Sequence, residues 1–339
     1  MPDLASIWYL LVGVLLVGYA VLDGFDLGAG TLHLFVARDD DERRTVMRAI
    51  GPVWDGNEVW LLTAGGALFA AFPAVYATVF SGFYLALILL LVALIFRAVS
   101  LEFRSKLETP GWRRTWDVAF SVASFLPTVL FGVAIGNVLR GVPLDAAGDY
   151  RGGLAGLLNP FALAVGLLAS SMFVMQGATW LSLKTSGPVH DRSRRAALLA
   201  WPSFVALWLA VTVFSRADAG HLWTNYDNPA AWLVPVLFLV VAGAYPLAVR
   251  AGRDGAAFGL SSLSIAALIG TMGIGLYPNL LPAAGDAARS LTIHNAASSD
   301  LSLSVMLVIA LIGMPIVIGY TAFIYWRFRG KVDAREAGY

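Results

Sequence analysis

Nine apolar stretches of about 20 residues each run through this sequence of 339 residues. A helix needs roughly 20 apolar residues to cross a bilayer core of about 30 Å. Only helices and closed barrels satisfy the backbone in lipid, and these stretches are continuous rather than alternating, so they predict helices. The predicted spans are 7–36, 53–73, 76–97, 117–138, 157–181, 196–214, 230–250, 256–277 and 303–327. We therefore expect an all-α polytopic membrane protein in which residues 1–339 form a single integral membrane domain.

The composition supports this class and excludes several kinds of site. Hydrophobic residues make up 58% of the chain and charged residues 13%, whereas soluble domains carry about 25% charged residues. The net charge of +1 gives no electrostatic reason to expect a nucleic-acid partner. The chain has no cysteine, which excludes disulfides, thiolate metal sites and iron–sulfur clusters.

Lysine and arginine are distributed unevenly between the two sides of the predicted membrane domain. The loops after the odd-numbered spans hold 19 of the 23 basic residues, and the remaining loops hold 4. Arg97 and Arg104 are counted among the 19, as loop residues after the third span. Because basic loops are retained in the cytoplasm, the N-terminus is predicted to lie outside and the C-terminus inside.

Two carboxylates interrupt the first apolar stretch, in the segment VLDGFDLGAG. Asp23 and Asp26 are three residues apart, so they share one face of a helix. Gly24 and Gly28 lie on the same turns and allow another backbone to approach closely. A carboxylate in mid-bilayer is costly unless it is neutral, paired or hydrated, so both acids are predicted to face protein.

The second span opens with PVWDGNEVWLL, which places two more acids three residues apart, Asp55 and Glu58. If the first two spans pack antiparallel, Asp23, Asp26 and Asp55 form a ladder from the cytoplasm to mid-membrane. Plainer interpretations stay open. Asp55 could be only a helix-start acid, Glu58 could pair with a loop arginine, and the first two acids could clamp helices or subunits together.

Other polar residues in or near the spans suggest structural roles. His33 is the one histidine predicted inside a span, and we expect it to cap the first helix at the interface rather than to bind a metal. Asp117 is expected to be a first-turn acid beside Arg113 and Arg114. Gln176 lies within a span and is expected to bridge helices or bind a ligand. The segment RDDDERR is predicted to be a solvated loop.

Eight segments of the chain are distinctive enough to suggest a family. They are GYAVLDGFDLGAG, PVWDGNEVWLLTAGGALFAAFPAVYA, SGFYLALILL, FRAVSLEFRSK, GNVLRGVP, LLNPFAL, QGATWL and GYTAFIYW. Together they resemble subunit II of the cytochrome bd quinol oxidases, and the resemblance covers nearly the whole chain. It implies two four-helix bundles plus one peripheral helix.

The resemblance implies a haem-free subunit of a terminal oxidase in a bacterial cytoplasmic membrane, which oxidises a quinol and reduces dioxygen to water. Two b-type haems and one d-type haem are expected in a partner, subunit I, which this chain stabilises as a heterodimer. A structural quinone between the helices, membrane lipid and a small accessory single-span subunit are further partners that the resemblance allows.

The resemblance also assigns roles to individual residues, with no catalytic residue and no metal ligand on this chain. The predicted proton-path residues are Asp23, Asp26, Asp55 and Glu58. The resemblance implies the role of Asp55 through the WDGN motif, and Asp23 and Asp26 match the DGFD motif of the family, whereas Glu58 departs from the family pattern. The residues expected to line this path or pack against it are Trp54, Asn57 and Trp60.

Two other functions stay open from the sequence. One is a purely structural partner whose buried acids clamp the subunit interface. The other is a free-standing proton or cation transporter, although the sequence shows no clear pair of broken helices of the kind that transporters with inverted repeats often have.

Overall fold

The protein is described by a computed structural model that covers residues 3–332. Its α-helices are α1 (Leu4–Val36), α2 (Asp40–Ile50), α3 (Trp54–Ala71), α4 (Pro73–Gly82), α5 (Tyr84–Phe103), α6 (Pro110–Arg140), α7 (Leu154–Leu157), α8 (Pro160–Lys184), α9 (Gly187–Asp218), α10 (Leu233–Arg250), α11 (Asp254–Leu276) and α12 (Asp300–Arg327). Short 3₁₀ helices cover Arg104–Lys106, Gly220–Asp227, Pro229–Trp232 and Ala287–Arg289. Strands β1 (Asn279–Leu281) and β2 (Leu291–Thr292) pair antiparallel. The predicted all-α fold is confirmed.

Eight helices within residues 3–332 are long and apolar enough to cross a membrane, by length and composition alone. Helix α3, which corresponds to the predicted span 53–73, is not among them. It has 18 residues, and Asp55, Asn57 and Glu58 lower the mean hydropathy of its first two turns. The polar residues that suggest a functional role for this helix are therefore the same ones that weaken its signal as a span.

The predicted span 76–97 ends too early. Helices α4 and α5 are separated only at Phe83, and α5 continues to Phe103. Arg97 therefore lies inside a helix, and it is only 1% exposed. Arg104, in the 3₁₀ turn that follows, is also buried. The prediction that these two arginines are loop residues was wrong.

The segment RDDDERR is also not a loop, because most of it belongs to α2. The side chain of Asp39 caps this helix by accepting a hydrogen bond from the backbone N–H of Glu42 at 2.9 Å. The other face of α2 buries Val46, Met47 and Ile50 against the rest of the protein. Only Arg38, Asp39 and Asp41 of this segment are exposed, whereas its other charged residues are half-buried.

Helix α1 lies at the centre of the fold and packs against α3, α6, α8 and α11. Further contacts join α5 to α6, α8 to α9, and α10 to α11. The larger hydrophobic core includes Phe25, Phe173 and Trp180, and a smaller one gathers around Trp8 and Phe72. The division into two four-helix bundles and one peripheral helix stays a prediction.

Helices α1 and α8 touch through their backbones, at the glycines predicted to allow close approach. A Cβ atom added to Gly28 would lie 1.8 Å from the carbonyl oxygen of Phe173, and one added to Gly177 would lie 2.3 Å from the backbone nitrogen of Ala29. A Cβ atom added to Gly24 would meet a side chain instead, the ring of Phe173, at 2.7 Å. Neither backbone can move aside without disturbing a whole helix, so only glycine fits at this crossing.

We expect Gly28→Ala to destabilise the protein by about 1–3 kcal/mol, because the new methyl group overlaps a backbone atom. The measurement is the thermal unfolding midpoint of the purified membrane protein in detergent. Gly13→Ala is the matched control on the same helix, since a Cβ there meets nothing within 4 Å. Equal midpoints for the two variants would contradict this account of the crossing.

Helix α12 is attached to the fold along only part of its length. Among its 28 residues only Leu303 is buried. Lys184 holds the end of α12 that is predicted to lie in the cytoplasm. Its Nζ donates to the carbonyl oxygen of Phe328. Its backbone carbonyl oxygen accepts a hydrogen bond from the N–H of Val332 at 2.7 Å. The remaining apolar surface of α12 is open in the isolated chain.

Candidate functional site

The acids of α1 face the interior of the protein, as their spacing predicts. Asp23 and Asp26 are both 0% exposed. Phe25, between them in sequence, points to another side of the helix, where its ring stacks on Trp180 with centroids 4.0 Å apart. The carboxylates are therefore enclosed by protein and do not contact lipid.

A buried arginine from α5 pairs with one of these acids and with Glu58 of α3. Arg97 Nη2 lies 2.7 Å from Asp23 Oδ1 and also contacts Glu58 Oε1. The Glu58 side chain is 27% exposed, whereas the other two are buried. The guanidinium thus connects a fully enclosed carboxylate to one that reaches the surface of the chain.

The second acid of α1 has a neutral partner. Asn57 Nδ2 donates to Asp26 Oδ2 at 2.7 Å, and Asn57 Oδ1 accepts from the hydroxyl of Tyr325 at 2.9 Å. Side chains from α1, α3, α5 and α12 therefore meet at one place. We call Asp23, Asp26, Asn57, Glu58 and Arg97 the acidic cluster.

Several polar atoms of the acidic cluster lack a protein partner. Within residues 3–332, no hydrogen bond reaches Asp23 Oδ2, Asp26 Oδ1, or Arg97 Nε and Nη1. Buried polar atoms are nearly always satisfied, by protein or by ordered water. Acceptors and donors occur together here, and this is the chemistry that suits internal water.

The predicted path residues do not all come together. Asp55 lies at the exposed surface of α3 rather than beside Asp23 or Asp26. Glu58, one turn further along, occupies the position between the surface and the buried acids. Of the residues expected to line the path, Asn57 joins the cluster, whereas the ring of Trp60 packs over Gly18 of α1. Trp54 packs against the larger hydrophobic core.

A second ionic cluster forms around Asp117, which is not the first-turn acid that was predicted. Asp117 is fully buried well inside α6 and accepts from Arg43 Nη1 at 2.9 Å and from Arg104 Nε at 2.6 Å. Its Oδ1 also lies 2.7 Å from His33 Nε2. His33 is 0% exposed, so the prediction that it caps α1 at the interface was also wrong.

The outer edge of this second cluster is Asp40 of α2. Arg104 and Arg113 each donate to it, at 2.8 and 3.0 Å, and Arg44 lies at 2.9 Å. Partial burial raises the pKa of Asp40, but the hydrogen bond from Arg104 and the surrounding positive charges outweigh it, so the pKa lies below its ordinary value. Arg113, predicted to lie beside Asp117, thus binds Asp40 instead.

Gln176 bridges helices, which was one of the two roles expected for it. Its Nε2 donates to the carbonyl oxygen of Val21 at 3.1 Å and to Ser262 Oγ at 3.0 Å. The side chain therefore ties α8 to α1 and α11.

The sequence reasoning missed Arg97, a member of the acidic cluster, and Tyr325, which hydrogen-bonds to Asn57 in that cluster. For Arg97 a signal was present. Leu90, Ala93, Arg97, Leu101 and Arg104 recur at helical spacing, and all five are buried. An arginine that lies on the same helix face as a row of buried apolar residues is expected to face the protein. An arginine that only ends a membrane span is expected to face the interface between membrane and water.

Within residues 3–332, no three His, Cys, Asp or Glu side chains are grouped to hold a metal. The Nε2 atom of His33 is hydrogen-bonded to Asp117, and the Nε2 atom of His190 is hydrogen-bonded to Asp254 at 3.0 Å. We derive no redox step on this chain.

Comparison with known proteins identifies the family. The model of the family "Cytochrome bd terminal oxidase subunit II" matches residues 4–328. The chain belongs to that family. This confirms the resemblance seen in the sequence motifs, and it makes the protein a multi-pass membrane subunit of a terminal oxidase complex.

Two relatives within the cytochrome bd family match along almost their entire length. The chain is 42% identical to cytochrome bd-I ubiquinol oxidase subunit 2 of Escherichia coli (strain K12), over 98% of this chain and 96% of the relative. It is 34% identical to cytochrome bd ubiquinol oxidase subunit 2 of Bacillus subtilis (strain 168), over 99% of both.

A solved structure supports the fold. A chain of the bd oxidase from Geobacillus thermodenitrificans superposes with a TM-score of 0.80, covering 96% of this chain and 98% of that one, at 19% sequence identity. At that level of identity the likeness concerns the fold alone.

Proposed function

We propose that this chain is the haem-free subunit II of a bacterial quinol:oxygen oxidoreductase and that its acidic cluster gives protons access from the cytoplasm toward the partner subunit. The proposal assigns two b-type haems and one d-type haem to that partner, subunit I, which this chain stabilises in the membrane. Dioxygen reduction consumes protons, and each must cross low-dielectric protein through groups able to gain and release one.

The observation that carries the proposal is the charge balance of the acidic cluster. The cluster has three carboxyl groups and one guanidinium. Arg97 contacts Asp23 and Glu58, whereas Asp26 is bound by the neutral amide of Asn57. An uncompensated carboxylate is costly in a buried site, so the cluster is suited to hold a proton in addition to the arginine charge. Glu58 is partly exposed and Asp23 and Asp26 are enclosed, which gives the cluster an outer and an inner end.

The orientation predicted from the basic loops is part of the proposal. With the N-terminus outside and the C-terminus in the cytoplasm, Asp26 lies on the cytoplasmic side of Asp23 along α1. Asn57 contacts Asp26 and Trp60 contacts Gly18, so Glu58 lies at about the level of Asp23. Asp55, on the exposed surface of α3, is then the residue best placed to pass protons to Glu58.

Asp26→Asn, tested in the assembled oxidase, is expected to lower the quinol:oxygen turnover about a hundredfold, in the range found for removal of a proton-transfer group. Oxygen consumption across pH and the haem absorption spectrum are the measurements. Asp227→Asn, an exposed acid outside the acidic cluster, is the matched control.

The same experiment separates proton access from a purely structural clamp. If the acids act only as a clamp, Asp26→Asn reduces the yield of the complex or alters its haem spectrum, while each assembled complex turns over at the normal rate. An assembled Asp26→Asn complex that works normally at every pH would overturn the proton-path proposal.

A further inference from the structure

The hydroxyl of Tyr325 is the only polar link from α12 to the acidic cluster within residues 3–332. Its ring sits against an aromatic pocket of the larger core, with centroids 5.9 Å from Trp180 and 6.4 Å from Phe25, both edge-to-face. Those two rings are stacked on each other and hold the tyrosine in one orientation. A residue of a largely exposed helix is thereby fixed next to the buried acids.

The direction of the hydrogen bonds follows from the chemistry of the partners. The Asn57 amide faces Asp26 Oδ2 at 2.7 Å and the carbonyl oxygen of Leu22 at 3.4 Å. The carbonyl can only accept, and so can an ionised carboxylate, so the NH₂ group of Asn57 must face them. The amide oxygen then faces Tyr325, whose hydroxyl donates to it.

We propose that Tyr325 is a positioning residue that fixes the Asn57 side-chain amide, so that Asn57 donates to Asp26 and supports its ionised form. This inference rests on the proposed role of Asp26 in proton access. Without the tyrosine hydroxyl, only the 3.4 Å contact with the Leu22 carbonyl oxygen still favours this orientation, so the amide turns over more readily. Its oxygen would then face Asp26, an arrangement that only a carboxyl group carrying a proton can satisfy.

Other charged groups around Asp26 also act on it, and they stay the same when the hydroxyl of Tyr325 is removed. The titratable and charged neighbours are Asp23 from α1, Glu58 from α3 and Arg97 from α5. Tyr19 of α1 lies beside Asp23 and Arg97. Tyr325 carries none of these charges, and the hydrogen bonds of Asn57 link its hydroxyl to Asp26.

Tyr325→Phe in the assembled oxidase tests the proposal, because it keeps the ring and removes only the hydroxyl. Loss of one hydrogen bond predicts a two- to tenfold fall in turnover. It also predicts that the pH midpoint of turnover moves upward by about half to one unit. The KM for quinol and the haem spectrum should stay unchanged. Tyr320→Phe is the control, since Tyr320 is on the same helix and 65% exposed.

A double variant shows whether the effect passes through Asn57. If it does, Tyr325→Phe combined with Asn57→Leu is no worse than Asn57→Leu alone. If the two substitutions lower turnover independently, so that their effects multiply in the double variant, the proposal is overturned. It is also overturned if Tyr325→Phe lowers turnover and thermal stability but leaves the pH profile of turnover unchanged.

The inference and the proposed function can fail separately. A normal pH profile for Tyr325→Phe, with a strong defect in Asp26→Asn, removes the positioning role and leaves the proton path in place. A normal Asp26→Asn enzyme removes both.

Discussion

Arg97→Met is expected to destabilise the protein by about 3–5 kcal/mol, the range found when one partner of a buried ion pair is removed. Methionine keeps most of the volume of the arginine stem but leaves Asp23 and Glu58 without their counter-charge. The thermal unfolding midpoint and the yield of the assembled complex in detergent measure the effect.

Two further variants make the Arg97 result specific. Arg114→Met removes an exposed arginine of α6 and should change stability little. Adding Asp23→Asn to Arg97→Met removes the stranded charge and should recover part of the lost stability. An Arg97→Met complex that unfolds at the normal temperature would show that the acids do not depend on this guanidinium.

Asp117→Asn is expected to cost a similar amount, about 3–5 kcal/mol. The carboxylate is the shared acceptor of Arg43 and Arg104 and the partner of His33, and it is fully buried. An amide of the same shape can accept only through one oxygen and turns its NH₂ toward cationic donors. Thermal unfolding and limited proteolysis of the loop between α5 and α6 measure the effect.

Asp40 provides the comparison for Asp117. It binds the same arginine, Arg104, yet its side chain is 35% exposed. Because exposed ion pairs contribute little, Asp40→Asn should cost about 1 kcal/mol or less. If the two variants were equally destabilising, burial would not be what makes the Asp117 cluster important.

The sequence was sufficient for the fold class, the family and the inward orientation of Asp23 and Asp26. Continuous apolar stretches identify helices, and three-residue spacing places both acids on one face. These inferences depend on residues that are close together in the chain, so no knowledge of tertiary contacts was needed.

The partners of those acids could not be predicted in the same way. Arg97 and Asp23 are far apart in sequence, and nothing local specifies which helices meet. An arginine near the end of an apolar stretch also resembles an interfacial anchor, and the predicted span was therefore cut at Arg97. His33 and Asp117 were misread for the same reason, since each was interpreted from its own helix alone.

The chain order of the Arg97 ion pairs bears on how the protein enters the bilayer. An arginine at the centre of a hydrophobic segment adds about 2.5–3.5 kcal/mol to the apparent cost of insertion by the translocon. Asp23 and Glu58 precede Arg97 in the sequence, so both counter-charges are synthesised before it. The partners that neutralise Arg97 in the folded protein are therefore already present in the nascent chain when the arginine is synthesised.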